Sequence, residues 1–394
     1  MDRALAGIRV LDVTQVMAGP FCAMLLCDMG ADVIKVEPPG GDSTRGMAGA
    51  IGTDSPSFNA VNRGKRGIVV NLKHRRGPDI VARLARQSDI LIENYRPGVM
   101  AAFGLGYEQL SRDHPELIYA SISGYGQTGP SAGRGGFDLV AQGISGLMSV
   151  TGEPGRAPVK IGVPITDLGA GLFALSGILA ALYHRTRSGA GQHVDTSLVE
   201  AGVALSVWES AEYFSGRGVP QPLGSAHRMS APYQAIQCAD GHITLGAAND
   251  RLFRWLCDAL GHPEWSDDPR FGTDGLRLEN RDVLVAAIES VTITEPRRYW
   301  LERLERHDVP CGPINRYDEV FADPQVRARG MVVETDHPTL GRVKTLGSPI
   351  KLSETPPVTG RPAPLLGEHT DAVLIEAGFD PAEISELRAA DVVR

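Results

Sequence analysis

Apolar and polar positions take turns along the first half of the chain with the periods of strands and helices. IRVLDV (8–13) is a short β-branched run and VMAGP (16–20) a Gly-Pro turn. FCAMLLCDMG (21–30) is an apolar helix stopped by Gly30, and ADVIKVE (31–37) is a second strand. Strand, crossover helix and strand predict a βαβ unit with parallel pairing. The alternation continues through GIVVNL (67–72), the helix GPDIVARLARQ (77–87), DILIENY (89–95) and LIYASISGY (117–125). This half reads as α/β, Rossmann-like in layout. A long apolar helix is expected over 168–183, and a further one from Val199 to Phe214.

The texture then changes. SGRGVPQPLGSAHRMSAP (215–232) is rich in Gly, Pro and Ser and reads as a loop. YQAIQCADGHITLGA (233–247) predicts a hairpin turning at Asp240-Gly241. Charged amphipathic helices follow over 251–260, 280–292 and 296–307, so a smaller α+β domain is expected here. The tail carries short strands such as MVVETDHP (331–338) and a last helix, PAEISELRAA (381–390).

Composition narrows the function classes. With 394 residues, 42 % of them hydrophobic, the chain suits two domains. A charged fraction of 22 % and a net charge of −8 give no electrostatic case for nucleic-acid binding. The longest apolar runs are broken by Gly, Pro or charge short of a membrane span, so no membrane partner is expected. MDRALAGIRVLDV runs straight into strand-like sequence without a basic segment and an apolar one, which points to a cytoplasmic protein. Cys22, Cys27, Cys238, Cys257 and Cys311 form no CxxC pair, and no HExxH occurs, so neither a metal nor a disulfide is expected.

Familiar chemistry is also missing. Glu37 ends the second strand where an acid would hold a ribose, yet the preceding turn, VMAGPF, lacks the GxGxxG of a dinucleotide site. There is no GxSxG elbow, and GKR (64–66) lacks the glycine spacing and the Ser/Thr of a phosphate loop.

One acid stands out. GVPITDLGAGLFALSGILAAL (162–182) is among the most apolar stretches of the chain, and Asp167 is its single charge, at the front of a helix expected to face no water. Two roles are open. Asp167 is either an N-cap accepting a free N–H of the first helical turn, or a nucleophile. The two are compatible, because free amides and the helix dipole stabilise an anion, and a poorly hydrated carboxylate can attack an acyl group.

With these residues in place the chain resembles CoA-transferase family III, the formyl-CoA:oxalate and carnitine CoA-transferase type. The resemblance runs through GIRVLDVTQVMAGPFCAMLLCDMGADVIKVEPPGGDSTRG, NRGKRGIVVNLK, IENYRPGVM, GLGYEQL, SISGYGQTGP and ITDLGAGLFALSGILAALYHRTRSGAGQHVDTSL, and ends in VPCGPIN and PLLGEHT. It implies a Rossmann-like large domain from both chain ends (1–224 and 326–394), a small domain at 225–325, and an interlocked-ring homodimer. It makes Asp167 the nucleophile that carries an acyl anhydride and then a CoA thioester. Coenzyme A thioesters and small carboxylic acids are then the substrates, with no permanently bound cofactor.

The resemblance also implies contacts. The Gln15, Val16, Met17, Ala18 turn would meet the pantetheine and adenine, Asn94 and Tyr95 would lie along CoA, Leu72 would sit by the adenine, and Tyr125 would be another contact. Lys73, Arg75 and Arg76 are candidates for the phosphates, or else a solvated basic turn. Ala102 stands where a basic residue is often found. GRGGFD (133–138) and the loop before Tyr233 are candidate oxyanion donors. The texture is most similar to members that handle dicarboxylates, with succinyl-CoA as the expected donor. Arg45, Arg96, Arg134, His227 and Arg228 are candidates for the free carboxylate, Arg45 and His227 first. A 2-methylacyl-CoA racemase would need a His partner for the Asp, and Phe137 stands at that position. A non-catalytic acyl-CoA-binding protein with Asp167 merely capping is the other alternative.

Overall fold

The computed structural model describes residues 3–394. Among them six strands form one parallel sheet in the order β3-β2-β1-β4-β5-β6. These are β1 (Arg9–Asp12), β2 (Asp32–Glu37), β3 (Arg66–Val69), β4 (Ile90–Glu93), β5 (Ile118–Ser123) and β6 (His193–Ser197). The order runs outward from β1 in both directions, so the switch point of a doubly wound sheet lies between β1 and β4. β4 and β5 are buried along their whole length, which is why they read as near-continuous apolar runs. Successive side chains point to opposite faces. Val10, Ile90 and Ile92 pack on one side with α1 (Ala18–Asp28). Leu11 and Leu91 pack on the other with α2 (Gly77–Ala85) and the C-terminal residues Val373, Leu374 and Leu387.

Three local expectations need correction. Gly19 and Pro20 are not a turn before the helix but lie inside the first turn of α1. Proline is tolerated there because its missing N–H would have had no partner. The helix expected over 199–214 is two, α5 (Leu198–Leu205) and Val207–Phe214. At the break Ser206 Oγ bonds the Val203 carbonyl at 2.7 Å, a side-chain bond that competes with the helical ladder. The helix holding Asp167, α4, spans Ile165–Ser188 and reaches the length and apolarity of a membrane span. Ala170, Ala174, Ile178 and Ala181 are buried in the core, whereas Leu172 and Phe173 are exposed, so α4 does not lack a solvent side. Its contact with α1 is close because Gly171 has no side chain: a Cβ there would stand 2.7 Å from the Ala18 carbonyl oxygen.

The chain divides into two units. The first takes in the chain up to Leu147, Lys160–Ala211 and Pro324–Arg394, and the second Met148–Val159 and Glu212–Asp323. The second unit thus begins earlier than residue 225 and adds a short upstream piece. Within it β7 (Tyr233–Cys238), β8 (Gly241–Gly246) and β9 (Cys311–Pro313) form an antiparallel sheet, with the hairpin turning at Asp240-Gly241 as expected. The helices Asp250–Leu260, Arg281–Thr292 and Arg297–Arg306 cover its core of Ile236, Ile243, Phe253, Leu284 and Trp300. In the first unit the C-terminal segment returns to the sheet edge, where Val393 bridges to Val70.

Beneath the C-terminal edge of the sheet lies a buried ionic frame. Asp12, Lys35 and Lys65 are all buried, the first two 0 % and Lys65 3 % exposed. Lys65 Nζ donates to Asp12 Oδ2 at 2.7 Å and to the Pro20 carbonyl at 3.0 Å. Lys35 Nζ lies 3.2 Å from Asp42 Oδ2 and donates to the Thr14 carbonyl at 3.0 Å. Asp12 Oδ1 accepts from the Thr14 amide and hydroxyl, and Asp42 Oδ2 from the Val16 amide at 3.2 Å. Burial pushes the Asp12 carboxyl up, but Lys65 and Lys35 outweigh it and hold it below its ordinary value. All these bonds converge on residues 12–20, where Val16 has a φ of 69°, a left-handed conformation that a β-branched residue rarely adopts. Replacing one partner would leave the other charged and buried. Lys65→Met is expected to cost about 3–5 kcal/mol in urea unfolding, and a loss below about 1 kcal/mol would show that the pair does not hold the fold.

Candidate active site

A cavity of about 400 Å³ opens off the carboxyl ends of β1, β4 and β5. The four-residue turn Gln15–Ala18 forms one wall, Asn94 and Tyr95 a second, and Gly124, Gly136 and Phe137 a third. Asp167 and Leu198 complete it. A second cavity of about 420 Å³ lies beside it off β1, β2 and β3, lined by Pro38, Pro39, Leu72, Lys73 and Phe103. Gln15 and Tyr95 line both cavities. Together they make a long crevice at the switch point of the sheet, where ligands of open α/β sheets bind.

The walls are built by specific contacts. The Asn94 side-chain amide donates to the Gln15 carbonyl at 2.7 Å, and its oxygen accepts the Gln15 N–H at 2.9 Å. Asn94 therefore shapes the wall instead of offering a free polar group. Met17 and Ala18 stand at the start of α1, so amides without helical partners and the positive end of the helix dipole meet the cavity. The loops after β5 and before α3 (Asp138–Ile144) cross backbone to backbone, and a Cβ on Gly136 would stand 2.6 Å from Gly124 Cα.

Asp167 is not the cap of its helix. Pro164 takes the N-cap position, and Asp167 is the third residue of α4. The capping bonds come from Asp138, whose Oδ1 accepts the Thr166 amide at 3.0 Å and the Thr166 hydroxyl at 2.7 Å. Asp138 is itself held by Gln142 Nε2 at 2.7 Å, and Gln142 Oε1 accepts the Ile161 amide at 2.8 Å. The Asp167 carboxylate, half-buried, accepts no hydrogen bond from the described residues. Burial pushes it up to about 6, and the nearby Asp138 charge adds to the shift. The alternative that explained Asp167 by capping alone is thus removed: a different residue does that work. Sequence reading missed Asp138, although its place at the front of the helix after GGF, four residues before Gln142, was the available signal.

The remaining candidates separate. Gln15, Val16, Met17, Ala18, Asn94, Tyr95 and Asp167 share the first cavity, and Leu72 and Lys73 the second. Arg75 is exposed on the adjoining turn and lines neither. Tyr125 also lines neither, and its ring centroid lies 5.3 Å from the Arg134 guanidinium. Arg45 is a correction. It is 3 % exposed, pairs with Glu37 through Nε and Nη2 at 2.7 Å each and with Asp54 at 2.9 Å, and stacks 3.6 Å over Phe58. A guanidinium so fully bonded has no donors left for a substrate carboxylate. His227 belongs to the second unit, its ring against Tyr233 at 4.8 Å and its Nδ1 accepting the Met229 amide. Arg228 stands 3.2 Å from Glu212. One buried acid was not anticipated. Glu93, at the end of β4, accepts the Tyr95 amide at 2.8 Å, and burial pushes it up to about 7, partly opposed by Ser121 and that amide. Among the described residues no group of His, Cys, Asp or Glu is arranged to hold a metal.

The model of CoA-transferase family III matches residues 5–370. The chain belongs to that family. The enzyme is 42 % identical to the succinyl-CoA:glutarate CoA-transferase of Homo sapiens, over 99 % of this chain and 90 % of that one. It is also 42 % identical to the succinate–glutarate CoA-transferase of Agrobacterium fabrum, over 94 % of this chain and 95 % of that one. Its fold matches the crystal structure of a CAIB/BAIF family protein from Brucella suis with a TM-score of 0.84 at 38 % identity, covering 96 % of this chain and all of that one. The enzyme is thus a CoA-transferase with a parallel α/β core, as the sequence motifs implied.

The raised Asp167 value has a consequence for stability. Its folded value of about 6 lies above the ordinary 3.8, so between these pH values the folded state binds more protons than the unfolded one. Stability contributed at this site therefore falls as pH rises through that window. Asp167→Asn should raise Tm relative to the parent at pH 7.5, and the difference should vanish towards pH 4. A lower Tm at pH 7.5 would mean that the carboxylate has a stabilising partner.

Proposed function

We propose that the enzyme moves CoA from succinyl-CoA to a second dicarboxylic acid through covalent intermediates on Asp167. The single observation that carries this reading is a half-buried carboxylate with no hydrogen-bond donor, raised to about 6, on the wall of a cavity that adjoins a second one at Gln15 and Tyr95. Such a carboxylate is ionised above pH 6 yet poorly solvated, a condition for an active oxygen nucleophile.

Asp167 Oδ attacks the thioester carbonyl, the C–S bond breaks, and CoA leaves as thiolate. The thiolate then attacks the Asp167 acyl carbon of the mixed anhydride, releasing succinate and leaving an aspartyl-CoA thioester. The acceptor carboxylate attacks that thioester, and the thiolate returns to the acceptor's acyl carbon, restoring Asp167. Each step exchanges one acyl bond for another, so thioester energy is conserved as long as water stays out. The amides of the N-cap Met17 and of Ala18, at the start of α1, are suited to stabilise the oxyanions. Gln15 and Tyr95 would lie along the pantetheine, with Leu72 and Lys73 towards the nucleotide. The names of the two relatives, which act between succinyl-CoA or succinate and glutarate, support the dicarboxylate class.

An isomerase of the racemase type is disfavoured by one residue. Phe137, 76 % exposed, lines the cavity with Asp167, and among the described residues no histidine does. A homodimer is part of the proposal: Leu172 and Phe173 on α4 and Val203 and Leu205 on α5 leave an apolar surface suited to a second copy.

Incubating the enzyme with succinyl-CoA and glutarate should yield glutaryl-CoA, and Asp167→Asn should lower kcat by at least about a thousandfold. In the parent, kcat/KM should fall tenfold per pH unit below about 6, as Asp167 takes a proton. Wild-type rates from the variant, or hydrolysis as the sole reaction with every acid offered, would remove this reading.

A further inference from the structure

Arg45 cannot receive a substrate carboxylate, and the cavity holds two arginines that can. Among the described residues, Arg96 and Arg134 are the only cations lining the Asp167 cavity, and Asp167 is its only acid. Both arginines are exposed. Arg96 follows Asn94 and Tyr95 off the end of β4, and Arg134 lies on the loop between β5 and α3. Neither side chain makes an ion pair or hydrogen bond with a described residue. Other arginines of the same unit are spoken for: Arg9 pairs with Asp32, Arg45 with Glu37, Arg63 with Asp28, and Arg185 with Asp89.

The two guanidinium-bearing segments are brought together by a glycine. Gly135 follows Arg134, and the Arg96 head packs over its bare Cα so closely that a Cβ there would stand 2.5 Å from Arg96 Nη2. The Tyr125 ring backs Arg134, centroid to guanidinium carbon 5.3 Å. The Asp167 carboxyl is shifted by burial and by Asp138, with no opposing pull from either arginine. The arginines and the nucleophile line one cavity without forming an ion pair.

We propose that Arg96 and Arg134 bind the distal carboxylate of a dicarboxylic substrate while its other end reacts at Asp167. This rests on the CoA-transferase mechanism proposed above and assigns the residues that select its acyl groups. A guanidinium offers a planar fork of donors that matches a carboxylate with two bonds. A diacid spanning the cavity meets a cation at one end and the nucleophile at the other. A monoacid of the same length leaves both forks unpaired and brings an alkyl group to them, so the same site that accepts the diacid discriminates against the monoacid.

The test compares two donors that share CoA and chain length. kcat/KM is measured for succinyl-CoA and for butyryl-CoA with the parent, Arg96→Gln, Arg134→Gln, the double variant and Arg96→Lys. Both arginines are exposed and unbonded, so the fold should not change. The double variant should lower the succinyl-CoA to butyryl-CoA preference at least tenfold, through loss on succinyl-CoA, and Arg96→Lys should lose less than Arg96→Gln. An equal loss on both donors would assign the arginines to the CoA phosphates and overturn the proposal, as would no loss on either. Calorimetric titration of succinate against butyrate reads the same preference without turnover. Succinate affinity should fall at least tenfold in the double variant, and an unchanged affinity would overturn the inference. An active parent with unaltered preference in the variants would sink this assignment and spare the mechanism, whereas a parent inactive with every donor would sink the mechanism.

Discussion

The structure turns on a buried ionic frame under the end of the first strand. Lys65 and Lys35 hold Asp12 and Asp42 where water does not reach, and their remaining donors go to the Pro20 and Thr14 carbonyls. Two charges of each sign are costly to bury unless their bonds are completed, and here the completing bonds are to one backbone segment. That segment includes Val16, whose left-handed conformation is secured by Asp42. The consequence is geometric. The chain leaves β1, turns sharply, and enters α1 with its amides facing the cavity. Without the frame, neither the start of α1 nor the backbone clamp between Gln15 and Asn94 would have a defined position.

The second element of the site is a division of labour between two acids. A helix start needs its amides satisfied, and an acid in the first turn of a buried helix is ordinarily explained by that need. Asp138 meets it from a neighbouring helix, and is fixed in turn by Gln142. Asp167 is left without donors, close enough to Asp138 for like charge to add to the effect of burial. Its elevated proton affinity, the source of the reactivity proposed for it, is a local destabilisation tolerated by a fold whose core is carried elsewhere, by the two faces of the sheet.

How much of this was legible in the sequence depends on the range of the interaction. IRVLDV, ADVIKVE and DILIENY announce strands because burial on both faces leaves a local apolar signature, and the Asp240-Gly241 hairpin declares itself by its turn. A Rossmann-like layout was expected from that alternation, whereas the strand order and the crevice at its switch point are properties of the fold. The ordered motifs gave the family, and it holds. Arg45 illustrates what is hidden. In sequence it is one more arginine in a glycine-rich loop, and only the fold brings Glu37, Asp54 and Phe58 around it. Arg96 and Arg134 look no different in sequence, and their lack of partners is equally a property of the fold. Capping stood open as a role for Asp167 because local reasoning sees only the residues next to a helix, and Asp138 lies 28 positions before Thr166 in the chain.

The central claim is that an oxygen of Asp167 enters the chemistry. Isotopic labelling reads it directly. When the acceptor acid carries oxygen-18 in its carboxylates, the last step of the anhydride route leaves one of those oxygens on the restored aspartate. After turnover with labelled glutarate and succinyl-CoA, mass spectrometry of the peptide containing Asp167 should show one or two heavy oxygens, located at that residue. Formation of glutaryl-CoA with an unlabelled Asp167 would mean that the acyl groups exchange CoA without bonding to the enzyme, and would contradict the account.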